Sequence, residues 1–152
     1  AGPQPLVVVG DGPDRGALEL SARSAGIDLR VTGWRARDEV WAWMRHATML
    51  AFPSYGPESL SRVLIESAAL GTPIAAMNTG GTTDILQHDR TGLVAEDVAA
   101  FTAALARLAG DRSLRERLGA AARDDVRTRF AAPLVVARVA ALYESLLART
   151  GV

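Results

Sequence analysis

The sequence predicts an α/β fold: a parallel sheet covered by helices on both faces, followed by a purely helical segment. Three observations lead there. Short apolar runs rich in β-branched residues alternate with amphipathic stretches, the pattern of successive βα units. The strand candidates are apolar almost throughout, as expected when a sheet is buried on both faces. After Asp97 no further strand candidate occurs, and only helical periodicity remains.

Residues 6–9 are a buried strand stopped by Gly10-Asp11-Gly12-Pro13. Residues 14–25 form a helix with Leu18, Ala22 and Ala25 on one side and Gly26 as its stop. Residues 29–32 are a strand ending at Gly33. Residues 37–46 form an amphipathic helix with Val40, Trp41 and Met44 inward. Residues 48–52 are a strand bounded by Pro53-Ser54. Residues 60–70 form a helix with Val63, Leu64 and Ala68 inward and Gly71 at its end. Residues 73–77 are a strand that opens into Thr79-Gly80-Gly81-Thr82-Thr83, and residues 91–95 are the last strand. In the tail, Phe101, Ala104, Leu105 and Leu108 share one face, and Leu114, Leu118, Ala121 and Val126 a second. Pro133 opens a third helix whose Val135, Val139, Leu142 and Leu146 are expected to pack in the core.

The 152 residues fit one domain, and 49% hydrophobic with 22% charged residues is the composition of a globular chain. Seventeen acidic residues balance seventeen basic ones, so no excess charge favours nucleic acid. Every basic residue is arginine. Without lysine there is no Schiff base and no P-loop lysine. Without cysteine there are no disulfides, thiolate metal sites or thiol catalysis, and two histidines make a metal centre improbable. No apolar run reaches the length of a membrane span. The opening Ala1-Gly2-Pro3-Gln4-Pro5 lacks the features of a signal peptide and reads like a cut, so a truncated single domain over residues 1–152 and a cytoplasmic location are expected.

Ligands of an open parallel sheet bind outside the carboxyl ends of its strands. Those ends carry Gly10 and Gly12, then Gly33, Trp34 and Arg35, then residues 53–58, then Gly80, Gly81 and Thr82. The third loop feeds a helix. Free N–H groups of Leu60, Ser61 and Arg62 are expected at its mouth, the positive end of the helix dipole, where a diphosphate fits without a lysine. Glu58 stands before Glu66 by eight residues, or about 12 Å if one helix holds both. That span suits the two ends of a nucleotide-diphosphate sugar, whose hydroxyls carboxylates accept well. An ordinary helix-surface glutamate at position 66 fits the spacing equally well. Trp34 reads either as a packing residue or as a base contact. Arg62 reads either as a phosphate contact or as a solvated side chain, and His88 as a turn residue.

The stretch from Pro53-Ser54 through Glu58, Glu66 and Ala68-Ala69-Leu70-Gly71-Thr72-Pro73 resembles the signature of family 4 retaining glycosyltransferases. Gly80-Gly81-Thr82-Thr83-Asp84-Ile85 is similar to that family's G-G-x-x-E-[IL] loop and Thr91-Gly92-Leu93-Val94 to its T-G-x-L-V strand. Gly10-Asp11-Gly12-Pro13 and Val31-Thr32-Gly33-Trp34 resemble its upstream elements. The resemblance implies one Rossmann-like half of a GT-B enzyme, the donor-binding half, with the acceptor-binding N-terminal domain of the same chain as its partner. It implies a nucleotide-diphosphate sugar as substrate, with no cofactor and no metal. Glu58 would contact the transferred sugar and Glu66 the ribose. The N–H groups of Leu60, Ser61 and Arg62, beside Ser59, would take the diphosphate. Gly33, Trp34 and Arg35 would border the base, and Gly80, Gly81 and Thr82 would approach the sugar or its phosphate.

Ser59 and Ser61 stand where that family has glycines, and a positive φ at either would be strained. Asp84 stands for its commoner glutamate, and the family's phosphate-neutralising Arg and Lys loop would precede Ala1. The fragment alone is therefore expected to be inactive. Two other readings compete: a non-catalytic nucleotide- or phosphosugar-binding module, and a nucleotide-sugar epimerase of the same architecture.

Overall fold

The computed structural model describes residues 5–56 and 59–150. Its elements run β1 (Leu6–Val8), α1 (Arg15–Ser24), β2 (Leu29–Val31), α2 (Arg37–His46), β3 (Leu50–Phe52) and α3 (Arg62–Leu70). They continue with β4 (Ile74–Met77), α4 (Thr82–Ile85), β5 (Leu93–Ala95), α5 (Val98–Gly110), α6 (Arg112–Arg129) and α7 (Ala132–Thr150). The alternation to β5 and the helical run after Asp97 match the sequence pattern.

The contacts divide the chain into two compact units, Ala1–Trp43 and Met44–Val152. Each has its own parallel ladder, β1-β2 in the first and β3-β4-β5 in the second, where the sequence suggests one sheet. Apolar runs identify strands but carry no information about which edges pair.

In the first unit Leu6 pairs with Leu29 and Val8 with Val31, with α1 as the crossover. Of the face expected to point inward on α1, only Ala22 is buried, whereas Leu18 and Ala25 are exposed. Helix α2 begins with Asp38 and Glu39 and ends with Arg45 and His46, charges that complement its dipole. Met44 is buried and Val40 and Trp41 are partly so, as the pattern predicts. The Arg37 guanidinium stacks 4.5 Å from the Trp41 ring.

The second unit is organised by β4, whose four residues are all buried. Ile74 and Ala76 pack with Leu64 and Ala68 of α3, Ile85, and Ala122 and Val126 of α6. Ala75 and Met77 pack with Leu93 and Ala95 of β5, Phe101 and Leu108 of α5, and Leu118 of α6. The strand thus feeds a core on each face, which is why it lacks polar alternation.

Helices α3 and α6 meet at a seam of small residues. Gly71 ends α3 in the left-handed conformation (φ 76°), and its carbonyl lies where a Cβ on Gly119 would stand. Arg123 of α6 donates to the Leu70 carbonyl at 3.1 Å, satisfying one free acceptor of the α3 end. The buried face of α6 uses Ala122 rather than the expected Ala121, and Val63 of α3 is exposed rather than inward. His88, expected as a turn residue, instead forms an isolated bridge with Gly92 just before the turn at Asp89 (φ 59°), and its Nδ1 accepts from the Val94 amide at 3.1 Å.

Helix α7 departs most from expectation. Val135, Val139, Leu142 and Leu146 are exposed, not packed in a core. Periodicity finds an apolar face but not what covers it. The segment Arg112–Arg149 also holds an 18-residue window of mean hydropathy 1.5, none of it buried. By length and composition alone it meets the requirement for a membrane span, where the sequence pattern shows none.

The seam is testable. Gly119→Ala is expected to destabilise the protein by about 2 kcal/mol, because a backbone carbonyl blocks the added methyl. Gly110→Ala, with open space at the end of α5, is expected to stabilise it by about 0.5 kcal/mol. Urea denaturation of both variants checks the contrast.

Candidate functional site at the carboxyl edge of the second sheet

Because β3 and β4 run parallel, Leu50 opposite Ile74 and Phe52 opposite Ala76, the loops that follow them leave at the same edge. The first loop reaches α3 through Ser59, Leu60 and Ser61. The second carries Asn78, Thr79, Gly80 and Gly81 into α4. The two loops touch: a Cβ on Gly81 would overlap the Ser59 carbonyl. Only glycine allows that approach.

Helix α3 starts later than its sequence suggests. Ser61 is its N-cap and Arg62 its first residue, with the Ile65 amide donating to the Ser61 carbonyl at 3.3 Å. The amides of the first turn with no helical partner are therefore those of Arg62, Val63 and Leu64, none of which has a hydrogen-bond partner among the described residues, and Leu60 and Ser61 precede the helix. Glu58 is not on the helix, so the 12 Å separation expected from one helix holding both glutamates does not apply. Glu58 itself lies outside the described residues. Glu66 sits four residues, about 6 Å, into α3 on the same face as Arg62. It is partly buried and already has a partner in the chain.

Neither serine that replaces a glycine carries the feared strain. Ser61 adopts φ −76° and ψ 114°, and among the described residues Asp89 alone combines a side chain with positive φ. In the second loop Gly80 has φ 50°, and Thr82 is buried. The Thr82 hydroxyl donates to the Thr79 carbonyl at 2.8 Å, and the Thr82 amide donates to the same carbonyl at 3.1 Å. Thr82 therefore shapes the loop from within. Beside β4, Asn78 donates to both carboxylate oxygens of Glu96, at 2.9 and 3.0 Å, tying the ends of β4 and β5 together.

The sequence-selected residues of the first unit form a separate knot. Gly10, at φ 141°, donates to the Gly33 carbonyl at 3.0 Å, and the Gly12 amide donates to the Asp11 carboxylate at 2.9 Å. Both glycine amides are thus satisfied within the protein. Asp11 also pairs with Arg15 at 3.0 Å, and the hydrogen bonds that the Arg15 guanidinium donates to Glu19 and then to Asp11 raise its pKa above the ordinary value. Trp34 is 83% exposed, and Arg35 lies 3.9 Å from Glu39.

An open cleft of about 270 Å³ lies between Thr48, Gly71, Pro73, Arg112, Arg115 and Glu116. Thr48 and Pro73 precede β3 and β4, which puts this cleft at the amino edge of the sheet, away from the loops that serve ligands in such folds. The described residues contain no cluster of His, Cys, Asp or Glu able to hold a metal.

Parallel strands joined by helical crossovers, with glycine-bearing loops at their carboxyl ends, define an α/β protein. The chain belongs to the glycosyl transferases group 1 family, whose model matches residues 2–125. It is 31% identical over 144 residues to 2-deoxystreptamine N-acetyl-D-glucosaminyltransferase of Niallia circulans, covering 92% of this chain and 37% of that protein. It is 34% identical over 145 residues to a GDP-mannose-dependent alpha-(1-6)-phosphatidylinositol monomannoside mannosyltransferase of Mycobacterium tuberculosis, covering 89% of this chain and 38% of the relative. The chain thus spans less than two-fifths of either relative. Among solved structures, Anabaena HepE in complex with UDP superposes with a TM-score of 0.86 at 20% identity, over 95% of this chain and 42% of that one.

The contact between the two loops makes one prediction. Gly81→Ala is expected to force Ser59 away and lower the melting temperature by about 4 °C. Thermal unfolding followed by circular dichroism measures it.

Proposed function

We propose that this chain is the donor-binding domain of a retaining glycosyltransferase that takes its sugar from a nucleotide-diphosphate sugar. The observation that carries the reading is the mouth of α3. The unpaired amides of Arg62, Val63 and Leu64 open there, Glu66 stands one turn inside, and the Gly80-Gly81 loop touches the approach. Amides at the positive end of a helix attract phosphate oxygens, and the Arg62 guanidinium adds a full charge at the rim. UDP in the Anabaena structure and GDP-mannose in the mycobacterial relative's name support a nucleoside diphosphate as the anion.

In the proposed reaction the bond between the anomeric carbon and the phosphate oxygen breaks. The nucleoside diphosphate leaves with the electron pair, and an acceptor hydroxyl oxygen bonds to the same carbon on the same face and releases its proton. Charge grows on the leaving diphosphate. Fixed amide dipoles and arginine there stabilise the transition state without requiring a metal ion. Glu66 would accept the ribose hydroxyls, and Glu58 would meet hydroxyls of the transferred sugar. The rest of the longer protein would supply the acceptor-binding domain. This separation of roles differs from a glycosidase, which needs two carboxyls about 5–5.5 Å apart.

The test uses the full-length protein. Glu66→Ala is expected to raise the donor KM about tenfold with little change in kcat, and Glu58→Ala to lower kcat at least tenfold with little change in nucleotide affinity. Turnover should persist in a metal chelator. Unchanged kinetics in both variants would contradict the assignment.

A further inference from the structure

We propose that Arg129 is a positioning residue of the donor site: braced by Asp125, its guanidinium holds the end of α4 and thereby fixes the Gly80-Gly81 loop where the donor's sugar is received. The inference rests on the donor-site reading above and adds to it a residue of α6.

Helix α4 has only four residues, and so short a helix does not hold its shape alone. Its place is set by what it touches. Ile85 and the following Leu86 are buried in the core beneath it. At its start the Thr82 hydroxyl donates to the Thr79 carbonyl. Neither contact reaches the Asp84 carbonyl, which a four-residue helix leaves without a helical partner. Arg129 supplies that partner from 45 residues away: its Nη2 donates to the Asp84 carbonyl.

The guanidinium is itself held in place. Its Nη1 pairs with Asp125 Oδ2 at 2.6 Å, and the Asp125 side chain is only 11% exposed. Its central carbon lies 4.9 Å from the centre of the Phe130 ring, which packs against the core shared by α3, β4 and α6. An ion pair one turn apart on a helix surface contributes little to stability, and a buried carboxylate costs desolvation. The pair instead fixes the planar fork of the arginine, with its second arm aimed at α4.

Helix α4 carries the loop. A Cβ on Gly81 would lie 3.6 Å from Asp84 Oδ2, and the Ser59 carbonyl fills the space on which that Cβ would stand. The loop is thus held between α4 and the segment leading to α3. If the Asp84 end of α4 turned away from α6, the Gly81 backbone and the Asp84 carboxylate would turn with it. Helix α3 would stay, because the Gly119 seam and Arg123 tie it to α6 separately. Arg129 therefore governs the sugar end of the donor site and not its diphosphate end.

The experiment uses the full-length protein and titration calorimetry against UDP, UDP-glucose, GDP and GDP-mannose, with melting temperatures alongside. Arg129→Ala removes the contact to α4 but also leaves the buried Asp125 carboxylate without its arginine. Arg129→Lys keeps a charge for Asp125 and lacks the second arm of the fork. Both variants are expected to bind the preferred nucleotide sugar about tenfold more weakly and its nucleoside diphosphate within about twofold of wild type. The melting temperature of Arg129→Lys should match that of wild type. Unchanged nucleotide-sugar affinity in both variants would overturn the proposal while leaving the donor site standing. An equal loss of affinity for nucleotide and nucleotide sugar would show a general structural role and also overturn it. Failure of wild type to bind any of the four ligands would overturn the donor reading itself.

Discussion

The second unit depends on the complete burial of β4. Its four residues are all buried, and alternate side chains reach opposite cores. Helix α3 and part of α6 must cover one face, and α5 and the rest of α6 the other. Once those helices are fixed, the loops after β3 and β4 have little freedom. They emerge side by side, close enough for Gly81 to lie against the Ser59 backbone. The open mouth of α3 therefore follows from burying a short apolar strand on both faces.

The same constraint explains the small residues of the α3–α6 seam. Close packing of α3 under the sheet leaves no room for a side chain where Gly119 crosses the Gly71 carbonyl. Arg123 then satisfies the α3 terminus from the neighbouring helix. Among the described residues the amino-terminal end of α3 has no equivalent partner. One end of the helix is closed by a neighbouring side chain and the other, among these residues, is not.

Much of this was legible in the sequence, for identifiable reasons. The strand and helix order showed because apolar runs and 3.6-residue periodicity are local signals. The glycines stood out because strand ends carry ligands in parallel sheets, whereas Glu66 and the serines were picked out by the resemblance to the family signature. The start of α3 was misplaced by two residues because Leu60 continues the apolar pattern, although Ser61 is a good N-cap residue. That shift moves the unpaired amides to Arg62, Val63 and Leu64. The division into two ladders and the exposed apolar face of α7 were not legible, because both depend on which surfaces meet. The engagement of Thr82 with Thr79, and of the Gly10 and Gly12 amides with Gly33 and Asp11, was also hidden. Composition cannot show whether a polar group is already satisfied inside its loop.

The central claim is that the mouth of α3 receives the diphosphate of a nucleotide donor. The most direct measurement is a crystal structure of the full-length protein grown with UDP, GDP or ADP. The account predicts phosphate oxygens within hydrogen-bond distance of the amides of Arg62, Val63 and Leu64, with the ribose beside Glu66. A nucleotide bound at the amino-edge cleft near Arg112 and Arg115, with the α3 mouth unoccupied, would contradict it.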